Sequence, residues 1–509
     1  MRAMTSLERP VDLDELTLEA VLGGALRDRP ITVLGFARSG IALARFLADV
    51  SARVTVYDAR PESELGPAVD ALDSRDVRLL LGPQVEPGDA LAGATVVATS
   101  PSINPDYPTT EPRLRAALRD LVEARRRGDP DVPALVSEAD LFLRLCPSPT
   151  IGVTGTKGKT TTASLTATIL AADRAHPVVL GGNIGRPLIE RLPELTADHR
   201  VVIELSELQL PTLSRGTTVA VYTNVTADHL DRHGSLEAYR RVKRRLGELL
   251  PPDGVAVINA DDPVVGAYAL DVRSVRYRQA EPDRDEVGLV DGWITANSVQ
   301  PLTKAASMAT SGPILPVSEL TIPGRHNVSN ALAAVAVATL FGVEPEAMRR
   351  AARDFTGVEH RLEVVTTIDG VRYVNDSQGT QPDAVVAALR AFDPPIVLIA
   401  GGRGKDLDLG ELPAVVAERA AAAVLIGETG PELESLFRAA GLERTTRAGS
   451  MDEAVEAATT LARAARVDRQ SVATVLLSPA AASFDMFTDY EARGRAFKAA
   501  VARIEEGSR

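Results

Sequence analysis

Ile151-Gly152-Val153-Thr154-Gly155-Thr156-Lys157-Gly158-Lys159-Thr160-Thr161-Thr162 is the stretch whose reading decides the fold. Apolar residues lead into glycines and then Lys-Thr-Thr, the pattern of a buried strand, a tight loop and the start of a helix. Such a loop aims backbone N–H groups and a helix N-terminus at an anion. Lys159 is then placed to reach the outer phosphates of a nucleotide, and the Thr160 hydroxyl to hold Mg2+. The general phosphate-loop pattern has its first glycine five residues before Gly158, where Val153 stands; Gly155 supplies the turn instead. A purely structural turn is the alternative. The strand before the loop and the Ser/Thr/Ala-rich helix after it predict ATP binding.

Composition bounds what surrounds this loop. A chain of 509 residues has room for roughly two to four domains with packed cores. Net charge is −13, from 56 basic and 69 acidic residues, which argues against nucleic acid or an anionic membrane as partner. An acidic chain that binds anions must concentrate positive charge locally. The single cysteine, Cys146, excludes intramolecular disulfides and Cys-based zinc sites and suits a reducing cytosol. No apolar run approaches the ~18 residues of a spanning helix, and the first twenty residues, acidic and without an apolar core, do not read as a signal peptide. A cytoplasmic chain without membrane insertion is expected.

On the N-terminal side, residues before about 30 read as an extension in which Leu16, Leu18, Val21 and Leu22 form one short amphipathic helix. Ile31-Thr32-Val33-Leu34-Gly35-Phe36-Ala37-Arg38-Ser39-Gly40 then runs strand, glycine turn, helix, and Arg53–Asp58 is a second strand ending in an acid. This is a Rossmann-like start with Ala37 where the middle glycine usually sits; an ordinary βα unit with a packing glycine reads equally well. Asp58 either accepts from a nucleotide or caps a helix. A later strand, 94–99, ends in Ser100-Pro101-Ser102-Ile103-Asn104, small polar residues suited to phosphate contacts at a sheet edge.

On the C-terminal side, strands at 178–180 and 201–204 lead to Gly182-Asn183-Ile184-Gly185 and Glu204-Leu205-Ser206-Glu207-Leu208-Gln209. Glu204 is placed to reach a phosphate-bound Mg2+, or is a plain surface acid. The strand 219–222 ends in a polar crowd through Asn224, Asp228, His229, Arg232 and His233, which holds two of the chain's six histidines and makes His229 a candidate metal ligand. The basic run on the helix 239–245 reads mostly as a solvated face, and the strand 255–259 ends in a helix cap at 260–263. Asn327 and Asn330 lie one turn apart on an alanine-rich helix, able to pinch an adenine edge or to cap.

From 358 onward the βα rhythm restarts, with strands at 371–374, 396–400, 423–426 and 473–477 and helices near 383–392, 413–420, 430–440 and 451–465. Another Rossmann-like sheet follows. Its polar strand ends, 375–380, 401–406 and 478–485, lie on one edge, where a small polyanion fits.

Together these blocks resemble the Mur ligase family from about Ile31 to about Phe497. Gly155-Thr156-Lys157-Gly158-Lys159-Thr160-Thr161, Gly182–Gly185, Glu204–Ser206, Asn224–His233 and His326–Ala331 match blocks shared across the family. Gly35…Ser39-Gly40, Ser100–Ile103 and Leu477-Ser478-Pro479-Ala480-Ala481-Ala482-Ser483-Phe484-Asp485-Met486-Phe487…Glu491…Arg493-Gly494 resemble its D-glutamate-adding branch. The resemblance implies an α/β chain of three domains. Residues 1–30 are an extension, 31–135 a Rossmann-like domain for the UDP-substrate, 136–357 a central P-loop ATPase-type domain, and 358–509 a Rossmann-like domain for the amino acid. It implies ATP, two Mg2+ ions and small-molecule substrates, UDP-N-acetylmuramoyl-L-alanine and D-glutamate, handled by a monomer.

Site roles follow from the same resemblance. Gly155 to Thr161, with Lys159 on the β- and γ-phosphates, hold ATP together with Asn327, Asn330, Arg361 and Asp376. Thr160 and Glu204 bind one Mg2+; His229 and a carbamylated Lys243 serve the second. Gly35, Ser39, Asp58, Ser100 and Ser102 hold the uridine diphosphate, while Asn183, Ser206, Gln209 and His229 line the muramoyl-alanine end. Thr380, Lys405, Ser483, Phe484 and Tyr490 receive glutamate. Lys159, His229, Lys243 and Gln378 are the catalytic set. Gln378 departs from the family's usual Lys in Asp-Ser-Lys-Ala-Thr: it keeps a donor and loses a cation beside the acyl-phosphate carbonyl. The competing readings are another Mur-type amino-acid ligase, a NAD-dependent oxidoreductase built on the first sheet, and a nucleotide-binding scaffold without turnover.

Overall fold

The computed structural model describes residues 9–507 apart from 229, 303–308, 323, 405–408 and 469; the side chains of 230 and 231 also lie outside the description. The chain divides into two compact units, Met1–Phe355 and Thr356–Arg509.

The first unit carries two sheets. Strands β1 (Pro30–Leu34), β2 (Arg53–Asp58), β3 (Val77–Leu81), β4 (Val96–Thr99) and β5 (Ala134–Ser137) form one in the order β3-β2-β1-β4-β5. Every pairing in it is parallel. The order reverses beside β1, between β2 and β4, so the loops after β1 and β4 open a crevice at the sheet's carboxyl edge. That answers the ambiguity over 31–58: the unit is doubly wound. The segment before it is packed rather than appended. Its helix covers only Leu18–Leu22 and leaves Leu16 out. Val11, Leu13, Val21 and Leu26 are buried in the sheet's core, whereas Leu22 is exposed.

The second sheet is built from β6 (Thr150–Thr154), β7 (Val178–Gly182), β8 (Arg200–Glu204), β9 (Val219–Tyr222), β10 (Val255–Asn259), β11 (Arg273–Tyr277), β12 (Glu286–Val290), β13 (Trp293–Val299) and β14 (Thr310–Pro316). Its order is β14-β13-β12-β11-β10-β9-β6-β8-β7. β6 sits between β8 and β9 in parallel register, and every residue of all three strands is buried. Helices cover both faces of such strands, which is why they read as continuous apolar runs. The antiparallel extension β12-β13-β14 is absent from the sequence reading. The loop after β10 also differs: Asp262 Oδ1 accepts from the N–H groups of Val264 and Val265, closing a turn rather than capping a helix.

Two helices hold the sheet's centre. Lys159–Leu170 and Arg325–Leu340 pack on each other, and the second is buried at every residue from Asn330 to Leu340. Its alanines let the two backbones lie close.

The second unit has β15 (Glu363–Ile368), β16 (Val371–Asn375), β17 (Ile396–Gly401), β18 (Ala420–Ile426), β19 (Thr445–Arg447) and β20 (Ala473–Leu477) in the order β15-β16-β20-β17-β18-β19. All pairings are parallel except β15-β16, a hairpin. The crossover places β20 between β16 and β17, so the loops after these strands meet at one edge.

Candidate functional site

The phosphate loop is shaped by two glycines with positive φ, Gly155 at 148° and Gly158 at 86°. At Gly155 a Cβ would also run into the Thr223 hydroxyl, and at Gly158 into Asn330 Oδ1. No side chain caps the helix that starts at Lys159, and a helix N-terminus aims its N–H groups toward an anion. Lys159 folds back over the loop, its Nζ donating to the Thr156 carbonyl at 2.8 Å. Lys157 is exposed and Thr161 half-buried on the first turn.

The loop is clamped from β9. The Thr156 N–H donates to the Asn224 carbonyl at 2.8 Å, the Lys157 N–H to Asn224 Oδ1 at 3.0 Å, and Asn224 Nδ2 to the Lys157 carbonyl at 2.8 Å. Thr223 Oγ1 adds a bond to the same carbonyl at 2.7 Å. Asn224 had no role in the sequence reading. Its signal was its position, directly past a buried strand that neighbours the loop's own.

Beneath the loop, Thr160 Oγ1 donates to Glu204 Oε2 at 2.7 Å, and Asn183 Nδ2 donates to Glu204 Oε1 at 2.9 Å. Glu204 is 2% exposed, so the surface-acid alternative falls. Ser206 and Gln209 are joined next to it, the Ser206 N–H and Oγ donating to Gln209 Oε1 at 2.9 and 3.0 Å. Asn327 and Asn330 do share a face, but their amides meet each other: Asn330 Nδ2 donates to Asn327 Oδ1 at 3.0 Å, while Thr162 Oγ1 donates to Asn330 Oδ1 at 3.1 Å. Asn330 therefore braces the phosphate loop's helix.

Lys243 is fully buried on the inner face of the helix Leu236–Glu248. Burial first, and the nearby Lys159 charge second, push its amine down to about 7. Its Nζ lies 3.5 Å from Thr154 Oγ1 and 5.4 Å from the centre of the Tyr239 ring, and the Tyr239 hydroxyl is 3.1 Å from Thr156 Oγ1. His229, expected as its metal-binding companion, lies outside the described residues.

At the crevice of the first sheet, the N–H after Gly35 belongs to Phe36 and donates to Asp58 Oδ2 at 2.8 Å; Arg60 grips the same carboxylate at 3.0 and 2.8 Å. Burial works to raise the Asp58 carboxyl, but the Arg60 and Phe36 bonds hold it below its ordinary value. The helix-cap alternative for Asp58 is not realised, since Pro61 occupies the N-cap of the helix 62–70. Gly40 is required by close approach, because a Cβ there would collide with the Gly35 carbonyl. Ser39 is half-buried in the first turn of the helix Arg38–Asp49. Ser100 is 5% exposed, and its Oγ has no partner among the described residues. Gly35, Asp58 and Ser102 line a cavity of about 310 Å³ with Tyr57, Thr110 and Glu111.

In the second unit, the loops after β16, β17 and β20 are bound together. Ala480 N–H donates to the Gly379 carbonyl at 2.9 Å, Gly401 N–H to Pro479 at 2.8 Å, and Arg403 and Ala482 exchange bonds at 2.9 and 3.1 Å. Asp376 accepts from Ser478 Oγ at 2.6 Å and from the Leu362 N–H at 3.1 Å, and burial raises its carboxyl to about 6. Arg361 lies in the short segment between His360 and this N–H. Gln378 is half-buried, its Oε1 without a partner among the described residues, and Thr380 N–H donates to the Gln378 carbonyl at 2.8 Å. Ser483 is buried, Phe484 is 63% exposed, and the Tyr490 carbonyl accepts from Ser377 Oγ at 2.7 Å. Lys405 lies outside the described residues.

Arg493 organises this edge and was missed as a functional residue, although it stands inside the quoted signature. It is 1% exposed and donates to Ser377 Oγ and carbonyl at 3.0 and 2.9 Å and to the carbonyls of Ala481 and Ala482 at 3.1 and 3.2 Å. An arginine followed by glycine near the start of a long helix was its only sequence cue. Gly494 is there because a Cβ would strike the His360 ring.

A doubly wound sheet with a nucleotide-type crevice, joined to a phosphate-loop sheet with a buried Thr–Glu pair, defines an α/β nucleotide-binding protein of the phosphate-loop class. The chain belongs to the Mur ligase family. Residues 153–338 match the Mur ligase middle domain and residues 360–481 the Mur ligase, glutamate ligase domain. Among its relatives are the UDP-N-acetylmuramoylalanine–D-glutamate ligases of Symbiobacterium thermophilum, 38% identical over 94% of this chain and 99% of the relative, and of Pelotomaculum thermopropionicum, 37% identical over 94% and 98%. Similar folds include a MurF from Acinetobacter baumannii (TM-score 0.53, 17% identity, 96% and 98% covered) and the UDP-N-acetylmuramate-alanine ligase MurC from Thermotoga maritima (TM-score 0.52, 19% identity, 94% and 99% covered).

Proposed function

We propose that this chain is an ATP-dependent ligase that joins D-glutamate to the alanine carboxylate of UDP-N-acetylmuramoyl-L-alanine, a cytoplasmic step of peptidoglycan synthesis. The observation that carries the reading is the buried Thr160–Glu204 pair under the N-terminus of the helix Lys159–Leu170, in one unit with the Gly35–Asp58–Ser102 cavity. Residues 31–135 hold the uridine diphosphate, 136–357 ATP, and 358–509 glutamate.

The residues present suit ATP with Mg2+. The loop offers N–H donors and an ammonium, and Thr160 and Glu204 offer hard oxygen ligands. Mg2+ neutralises phosphate oxygens so that an anionic carboxylate can approach them. A second ion is assigned to His229 and to Lys243 as a carbamate. With its amine near 7, Lys243 is substantially neutral at neutral pH. The neutral amine can bond to CO2, lose a proton and become an oxygen ligand.

Lys159 and the N–H groups from Gly155 to Thr161 orient the γ-phosphate, with Asn327 and Asn330 beside the adenine; Arg361 and Asp376 are also assigned to ATP. One oxygen of the substrate carboxylate bonds to the γ-phosphorus as the bond to ADP breaks. The glutamate amine then attacks the acyl carbon, gives up a proton, and inorganic phosphate leaves. Asn183, Ser206 and Gln209 hold the muramoyl-alanine end. Gln378 donates to the acyl carbonyl, and Thr380, Lys405, Ser483, Phe484 and Tyr490 seat glutamate. Phosphate release from ATP with UDP-N-acetylmuramoyl-L-alanine, compared with D-glutamate, L-glutamate and no amino acid, tests the reading. Release that requires D-glutamate supports it; release with L-glutamate alone moves the specificity, and none at all removes the ligase.

A further inference from the structure

The cavity at the first sheet is completed from the second. Leu208, past β8, and Arg232, past β9, line it together with Gly35 and Asp58. Among the described lining residues Arg232 is the only cation, facing two acids, Asp58 and Glu111. Both acids are already engaged: Asp58 by Arg60 and the Phe36 N–H, and Glu111 by Arg113 and the Leu114 N–H at 3.1 and 2.7 Å.

Arg232 is held in place rather than left to solvent. Its Nη1 donates to Glu207 Oε1 at 2.9 Å, and the backbone carbonyl of Glu207 accepts from the buried Tyr107 hydroxyl at 3.2 Å. One edge of the guanidinium is thereby committed. Its Nε–H is buried without a partner among the described residues. A buried donor left unpaired costs free energy unless a ligand meets it. The glycine turn after β1 offers a diphosphate only N–H dipoles, so an anion there gains from a fixed cation across the cavity.

We infer that Arg232 binds the anionic diphosphate of the nucleotide-linked substrate, reaching it from the second sheet, and so sets the enzyme's affinity for that substrate. This rests on the cavity being the uridine diphosphate site. It has a structural corollary: the nucleotide bridges the two sheets of the first unit, and the Glu207–Tyr107 contact presets the distance it must span.

The test is calorimetric titration of the full chain with UDP at low and high salt, for wild type, R232Q, R232K and E207Q, with ATP as the control ligand. R232Q is expected to bind UDP roughly tenfold to a hundredfold more weakly, with a shallower salt dependence and unchanged ATP affinity. R232K, which keeps the charge, is expected to fall between it and wild type. E207Q keeps an acceptor that positions the guanidinium but removes the negative charge that competes for it, and is expected to bind UDP at least as tightly as wild type, which keeps the inference testable if R232Q does not fold. R232Q binding UDP like wild type with the same salt slope, or E207Q binding more weakly, overturns the inference alone. Wild type failing to bind UDP overturns the cavity assignment and the inference with it.

Discussion

The hydroxyl of Thr160 and the carboxylate of Glu204 lie 2.7 Å apart, although the residues belong to different strand–loop units. Neighbouring parallel strands, β6 and β8, end level with each other and bring them together. A Mg2+ held here needs both oxygens. Glu204→Gln is expected to lower kcat by about a hundredfold or more and to shift the Mg2+ titration upward. Thr160→Ser should stay within about tenfold of wild type, since it keeps the hydroxyl. Steady-state kinetics against Mg2+ concentration check both.

Lys243 supplies a prediction with a definite sign. Its amine sits near 7 in the folded chain against 10.5 as its ordinary value. Between those values the unfolded chain holds the extra proton, so stability rises with pH across that window in CO2-free buffer. Lys243→Met is expected to lose this rise, to be more stable than wild type at pH 7, and to be inactive. Wild-type activity should fall on removal of CO2 and return with bicarbonate. Thermal melts from pH 6 to 10 and assays in degassed buffer check these outcomes.

Asp376 runs the other way. Burial raises its carboxyl from 3.8 to about 6, so the folded chain holds the extra proton between these values. The contribution is present below the unfolded value and is lost as pH rises through about 6. Asp376→Asn should flatten that part of the stability curve, read as melting temperature between pH 4 and 7.

Arg493→Lys removes a planar donor set that a single ammonium cannot reproduce. Carbonyls of Ser377, Ala481 and Ala482 lose buried donors. The expected cost is about 3 kcal/mol, seen by chemical denaturation, together with a raised KM for glutamate, because the same bonds hold the loops around Thr380 and Ser483.

Much of this was legible because parallel α/β sheets write their sites into the sequence. A buried strand reads as an apolar run, and the polar residues just past it lie at the carboxyl edge; Glu204, Ser100 and Asp376 were found that way. The strands β12 to β15 were not, since half-buried antiparallel strands carry too many polar residues to stand out. Their hairpins left a mark that went unused. Asp291-Gly292 and Asp369-Gly370 both have paired positive φ values, 50° with 78° and 49° with 76°, as a two-residue hairpin turn requires. Residues whose partners lie far away in the sequence were named without a role. Asn224, Arg232 and Arg493 gain their meaning only from what the fold sets against them.

The most direct measurement follows an oxygen atom. UDP-N-acetylmuramoyl-L-alanine carrying 18O in both oxygens of its alanine carboxylate is turned over with ATP and D-glutamate, and the released phosphate is analysed by mass. Attack of the carboxylate on the γ-phosphorus predicts one labelled oxygen in each phosphate and an amide product that has lost it. Unlabelled phosphate, or phosphate released at the same rate without D-glutamate, contradicts the account.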